Sequence, residues 1–319
     1  MRKAALECAA TTSRGYLGLP VLETDSIALF RDSFFRPQRP VILPRGLYLD
    51  YPAASRWFSF PRTHPVLDPH ASNGIGLNYE YLGPFGDCQV PLELTTYDSK
   101  STTCFERAYK PLSLFLEWTR LAQSCSAEGR PSLRLYLAQC QIIDLPSTLR
   151  DDLPTPSYVA QSGKGDIYDT NIWLGIAPTY TPLHRDPNPN LFVQLAGSKC
   201  IRLLPPDSGL DAFKRARERA GLGYSGERAP HRGEEMMQGQ EKEALEHETW
   251  DGKVLDSSSD QNGIDGTDAG YHATVNAGDA IFIPRGWWHS IKGVGDGVTA
   301  SVSHISKSRS YATVGLSDF

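Results

Sequence analysis

The sequence predicts a mainly β protein folded as a jelly roll, a double-stranded β-helix, with helices gathered in its first half. Two observations carry this prediction. From residue 132 onward, short apolar runs recur between Gly, Pro and Asn turns, the text of antiparallel strands. In addition, the pair His184 and Asp186 is answered 105 residues later by His289, so strands far apart in sequence must close around one point. With 319 residues the chain can form one large domain of this kind.

Taken in order, residues 1–24 read as an N-terminal tail and 25–130 as a helical and loop region packed on the barrel. Thr24-Asp25 can cap a short amphipathic helix running to Phe34-Phe35 and stopped by Pro37. A strand-like run at 40–43 follows, then a short helix at 52–58. Residues 64–101 are rich in Gly, Pro and Asn and read as loops with short strands, among them 88–94. His64 and His70 lie there without a carboxylate at ligand spacing, and read as structural or surface residues. Leu112, Phe115, Leu116 and Leu121 recur at helical spacing, predicting a helix over 111–125 that packs by one face. Residues 132–138 alternate with period two, placing Leu133, Leu135 and Leu137 on one face and Tyr136 on the other.

The barrel core is expected over 131–206 and 271–306, with strands at 171–177, 181–184, 190–196, 199–204, 271–275, 280–283, 288–292 and 298–304. The stretch 207–270 is different text. From Asp207 to Asp268 it holds 15 Asp/Glu against 8 Lys/Arg, a net of −7 where the whole chain carries −5. It reads as an acidic insertion with helices at 210–220 and 234–250 and a polar, mobile run at 257–266. Strand text bounds it on both sides, so 208–268 is expected to be excisable. Loop closure costs only ~0.6 kcal/mol per doubling of length. His231, His247 and His272, in or beside it, read as non-ligands, and 307–319 as a C-terminal tail.

Hydrophobic content of 40% and charged content of 22% are those of an ordinary globular protein. The net charge of −5 and the absence of a Lys/Arg block argue against a nucleic-acid partner. No apolar run is long enough to cross a bilayer, so no membrane partner is expected. The six cysteines show no C-x-x-C pair and read as free thiols of an intracellular compartment, cytoplasmic or nuclear, with a mitochondrial leader left open. The oligomeric state stays open too, a dimer included.

The chemistry is concentrated in Thr181-Pro-Leu-His184-Arg-Asp186 and Trp287-Trp288-His289. Residues i and i+2 of a strand point the same way, so His184 and Asp186 can reach one metal, with His289 as the third ligand. Two imidazoles and a carboxylate fill one face of an octahedron and leave the other open, a donor set suited to Fe(II). Alone, His-x-Asp is weak; its surroundings strengthen it. Lys199 lies fifteen residues past His184 on an apolar run, and Thr181 three before it. A lysine buried beside a metal needs a compensating anion. A dicarboxylate supplies one, chelating the metal at one end and meeting Lys199 and Thr181 at the other. Of Trp287 and Trp288, one is expected to pack into the barrel and the other to wall the site.

With these residues in place, the chain resembles the Jumonji-C group of Fe(II)/2-oxoglutarate oxygenases within the cupin superfamily. It is most similar to small hydroxylases typified by the asparaginyl hydroxylase of hypoxia-inducible factor. The likeness runs through 181–186, 190–199, 204–206 and 278–289, with weaker echoes at 39–43 and 135–139. It implies Fe(II) held by His184, Asp186 and His289, 2-oxoglutarate as cosubstrate and dioxygen as oxidant. It also implies Thr181, Lys199 and Tyr136 at the far carboxylate of 2-oxoglutarate, and Asn190 close to the cosubstrate. The expected reaction is hydroxylation of a C–H bond in a protein side chain or small molecule, releasing succinate and CO2. Two other readings stay open: a non-catalytic cupin-type binding module, and a metal cupin enzyme that does not use 2-oxoglutarate. The chain departs from the family at Val302-Ser303-His304-Ile305, where the nearest pattern has an asparagine and then an aromatic; the departure bears on substrate contacts.

Overall fold

The computed structural model describes residues 16–60, 74–97, 103–125, 132–163, 167–223, 234–251 and 270–306. His64, His70, His231 and the polar run 257–266 lie outside these. Two sheets face each other as a jelly roll. The smaller is ordered β1 (Tyr16–Gly18), β12 (Gly270–Asn276), β11 (Ser198–Leu204), β14 (Trp288–Val294), β9 (Thr179–Arg185). The larger is ordered β2 (Val41–Ile42), β13 (Ala280–Ile283), β10 (Asn190–Ala196), β15 (Val298–Ser306), β8 (Ile167–Ile176), β7 (Leu133–Gln141), β5 (Gln89–Tyr97), β6 (Thr103–Pro111). The expected mainly β jelly roll is what the chain forms.

Each sheet has a dry inner face and a covered outer one, because alternate residues of a strand point opposite ways. Phe192, Ile201, Leu203, Val275, Ile281, Ile283 and Ile291 meet between the sheets with Trp287. Behind the larger sheet, Ile172, Leu174, Leu191, Val193 and Val302 pack with Phe30, Trp57, Phe115, Leu116 and Tyr158 from the N-terminal helices. The helix expected at 24–35 begins one residue later than its proposed cap: Ser26 accepts from Leu29 N, and α1 (Ile27–Phe30) widens into a π-turn through Phe35. Helix α4 (Leu112–Ser124) follows β6 directly after Pro111.

Three boundaries differ from the sequence reading. The tail assigned to 1–24 is not one from Tyr16 onward, because β1 pairs in parallel with β12 and Tyr16 is buried. Within 25–130, β5 and β6 form a hairpin that extends the larger sheet, with β5 paired to β7. Cys88, Cys104, Cys125 and Cys140 are free thiols, whereas Cys200 is disulfide-bonded, which departs from reading all six as free. No helix among the described residues is long and apolar enough to cross a membrane.

The insertion is built into the molecule. Its helices, α7 (Pro206–Arg219) and α8 (Gly239–Glu246), bury Ala212, Phe213, Ala216 and Leu245 against Leu183, Leu204 and Trp288 on the outer face of the smaller sheet. Gly209 lets α7 lie flat on the indole, since a Cβ there would overlap the Trp288 ring. Farther on, aromatic and cationic side chains alternate: Arg202 lies between the rings of Tyr16 and Trp250, and Lys292 between Trp250 and Tyr180. Lys292 also pairs with Glu246 at 2.6 Å.

Excision of 208–268 would therefore bare Leu183, Leu204 and Trp288, each 0% exposed in the intact chain. At ~2 kcal/mol per side chain returned to water, the loss is on the order of 5 kcal/mol, which outweighs any gain from a shorter loop. The expectation of harmless excision is thus reversed: the deletion variant should melt well below the intact protein or fail to stay soluble. An unchanged melting temperature would show that this packing is dispensable.

Candidate metal and cosubstrate site

Strand register brings the candidate ligands together. His289 on β14 lies directly between Leu203 of β11 and His184 of β9. Opposed residues of adjacent strands share a face, so both imidazoles point between the sheets, with ring centroids 4.1 Å apart. Asp186 follows β9, and its Oδ2 lies 3.7 Å from His289 Nε2. One ligand atom from each of the three residues falls within 4.8 Å of the others.

The backbone sets which nitrogen is free. His184 Nδ1 lies 2.8 Å from the Pro182 carbonyl oxygen and His289 Nδ1 lies 3.2 Å from that of Trp287. A carbonyl can only accept, so each Nδ1 carries the proton and donates it. Each Nε2 then presents a lone pair, the state a metal ligand needs. Burial, with help from neighbouring His184, pushes the His289 pKa down to about 4, so it stays neutral and ligating at neutral pH.

Two further rows lie on the same inner face. Ile201, Ile291 and Thr181 form the next, and Lys199, Gly293 and Thr179 the one beyond. Lys199 is thus four residues from the His289 row along β11, about 13 Å of strand. It is 1% exposed. Its Nζ donates to Ser301 Oγ at 2.7 Å and to Tyr136 OH at 3.5 Å, and lies 5.3 Å from the Phe192 ring centre. Among the described residues no carboxylate pairs with it. Burial alone pushes its pKa down to about 7.

Tyr136 reaches this point because its partner across the sheet is Gly175, where any Cβ would overlap the phenol ring. Thr181 shares the face, and its carbonyl accepts from Ser290 Oγ at 2.8 Å. Asn190 is 5% exposed and donates to Asp186 Oδ2 at 3.3 Å and to Ser303 Oγ at 3.4 Å. It therefore stands beside the carboxylate ligand. Trp287 joins the cluster between the sheets, while Trp288 faces away into the insertion, with Nε1 donating to Pro206 O at 3.1 Å.

The donor set suits iron: three mixed N/O ligands gathered on one side, with a buried ammonium on the same inner face that has no carboxylate partner among the described residues. A groove of about 760 Å3 is lined by Tyr136 and Thr179 at the Lys199 end and by Trp250 and Lys292 beyond, and includes none of the three ligands. The chemistry belongs to the ligands and not to this groove, since His184, Asp186 and His289 are the one metal-competent cluster among the described residues. His304 takes no part. It faces the outer core, within 3.3 Å of Tyr51 OH and 3.5 Å of Thr170 Oγ1, and burial holds its pKa down to about 3.

Ser301 and Ser303 were not singled out in the sequence. The signal was present in Val298-Thr-Ala-Ser-Val-Ser303, whose alternation puts Thr299, Ser301 and Ser303 on one face.

Comparison with known proteins agrees with this geometry. The family described as "Cupin-like domain" matches residues 27–305. The lysine-specific demethylase JMJ30 of Arabidopsis thaliana is 30% identical over 56% of this chain and 36% of its own length. Lysine-specific demethylase 8 of Danio rerio is 29% identical over 59% of this chain and 40% of its own. Jumonji C domain-containing protein 5 of Drosophila melanogaster is 24% identical over 86% of this chain and 56% of its own. The chain spans between about a third and somewhat over half of these relatives' lengths. The chain belongs to the cupin-like domain family, and the relatives it is similar to include a Jumonji C domain-containing protein.

Proposed function

We propose that the protein is an Fe(II)- and 2-oxoglutarate-dependent oxygenase that hydroxylates a C–H bond of a protein side chain or a small molecule. The observation that carries this is Lys199, a buried ammonium without a carboxylate partner among the described residues, on the inner face that bears His184 and His289. Such a charge is costly until an anion meets it. A binding module, or a metal enzyme without a dicarboxylate, has no use for it. When bound, iron with 2-oxoglutarate and dioxygen supplies the oxidising chemistry, with release of succinate and CO2.

The chain's own residues bind, orient and exclude. His184 and His289 offer Nε2 and Asp186 offers its carboxylate, which Asn190 steadies. Lys199 and Tyr136 take the far carboxylate of the cosubstrate, with Thr181 on the same face. Ile201, Leu203, Ile291 and Phe192 keep water from the space between the two ends. Reducing intracellular surroundings, cytoplasmic or nuclear, suit ferrous iron.

A second reading comes from the relatives named lysine-specific demethylases. Hydroxylation on an N-methyl carbon gives a carbinolamine that breaks down to the amine and formaldehyde, so one site serves both outcomes. Purified protein with Fe(II) should convert 2-oxoglutarate to succinate even without its main substrate, and a chelator should stop it. Metal binding without consumption of 2-oxoglutarate would favour a different metal enzyme. No metal binding at all would favour a binding module. Once a substrate is found, formaldehyde in the products separates demethylation from stable hydroxylation.

A further inference from the structure

We infer that Ser301 and Ser303 are positioning residues that tie the two halves of the site to one strand, an assignment that rests on the oxygenase reading above. They stand two residues apart on the inner face of β15, a strand that bears none of the groups proposed to touch metal or cosubstrate. Ser301 is 0% exposed and its Oγ accepts from Lys199 Nζ at 2.7 Å, the shorter of the two hydrogen bonds on that ammonium. Ser303 is 3% exposed and its Oγ accepts from Asn190 Nδ2, the same amide that donates to Asp186 Oδ2.

One serine thus fixes where the cosubstrate's cationic anchor stands. The other acts through Asn190 on the carboxylate ligand. The spacing of two residues along β15, about 7 Å, sets the separation of the two tethers. Lys199, on a flexible four-carbon stem, has many rotamers to choose from, and a buried hydroxyl that accepts from its ammonium selects one. Asn190 spends both protons of Nδ2 on these two acceptors, so its amide cannot turn without losing them. On the neighbouring strand β10, Ser301 pairs with Gln194 and Ser303 with Phe192, which joins the cluster between the sheets, so both hydroxyls lie on the inner face of the larger sheet and reach toward the smaller.

The two serines therefore have separable effects, unlike residues whose loss merely loosens the barrel. The test is calorimetric, with Mn(II) as a redox-stable stand-in for iron. Mn(II) is titrated into the protein, and 2-oxoglutarate into protein saturated with Mn(II), for wild type, Ser301→Ala and Ser303→Ala. Ser301→Ala should weaken 2-oxoglutarate about tenfold, the loss of one hydrogen bond to a charged group, and leave Mn(II) affinity within about twofold. Ser303→Ala should weaken Mn(II) about tenfold, as loss of an outer partner of a ligand does, and leave 2-oxoglutarate at saturating metal within about threefold. If either alanine variant melts early, Ser301→Cys and Ser303→Cys keep the volume while weakening the acceptor, and the same split should appear.

Variants that match wild type, or that lose both affinities together, overturn the assignment while leaving the oxygenase reading intact. A wild type that binds Mn(II) but not 2-oxoglutarate overturns that reading, and this assignment with it.

Discussion

Alanine at His289 should reduce 2-oxoglutarate turnover by more than ~100-fold and leave the protein without stoichiometric iron. Loss of an outer partner of a ligand alone costs roughly 10- to 100-fold, and loss of a ligand must cost more. His289 is the most buried of the three candidate ligands, and its Nδ1 is already committed to the Trp287 carbonyl. No other described residue stands ready to replace it, since His304 faces the opposite side of the larger sheet. Iron content by metal analysis and succinate release are the two measurements. His289→Ala protein with full turnover and one iron per chain would show that the ligand set is wrong.

Lys199→Met should raise the Michaelis constant for 2-oxoglutarate on the order of 10- to 100-fold, as expected for losing a charge-assisted hydrogen bond. Methionine keeps an apolar stem of similar length, so the variant should fold. The wild-type site carries a pH signature as well. Burial pushes the Lys199 pKa to about 7 in the empty barrel, so below that pH the ammonium is already formed when the dianion arrives. Above it, the anion must draw a proton in. Apparent affinity should therefore fall as pH rises past about 7, by up to ~tenfold per pH unit, and Lys199→Met should flatten this slope. A Michaelis constant unchanged by the substitution would remove Lys199 from the cosubstrate site and favour a metal enzyme that works without 2-oxoglutarate.

Much of this site could be read from the chain because strand geometry is periodic. Two-residue spacing predicts that His184 and Asp186 share a face, and the apolar run around Lys199 predicts a buried cation. Periodicity says nothing of which strands become neighbours. Pairing of β1 with β12 joins residues more than 250 positions apart, and no local pattern announces it. The insertion misled for a related reason. Its acidic composition describes its solvent-facing residues, while Ala212, Phe213 and Leu245, the few that decide packing, are sparse in the text. Ser301 and Ser303 are not legible as site residues because serine on a strand is chemically bland until the opposite sheet brings Lys199 to one and the neighbouring strand brings Asn190 to the other.

His184, His289 and Lys199 are all carried by the smaller sheet, with Asp186 at the end of its strand β9. Asn190, Tyr136, Ser301 and Ser303 all belong to the larger. Reactivity and accuracy are thus inherited from separate halves of the molecule. Substitutions at Tyr136 or Ser301, the larger-sheet residues that meet Lys199 and not Asn190, can retune which dicarboxylate is accepted, and how tightly, without disturbing a metal ligand. That leaves this fold a route to new cosubstrate preferences in which the iron-binding apparatus stays untouched at every step.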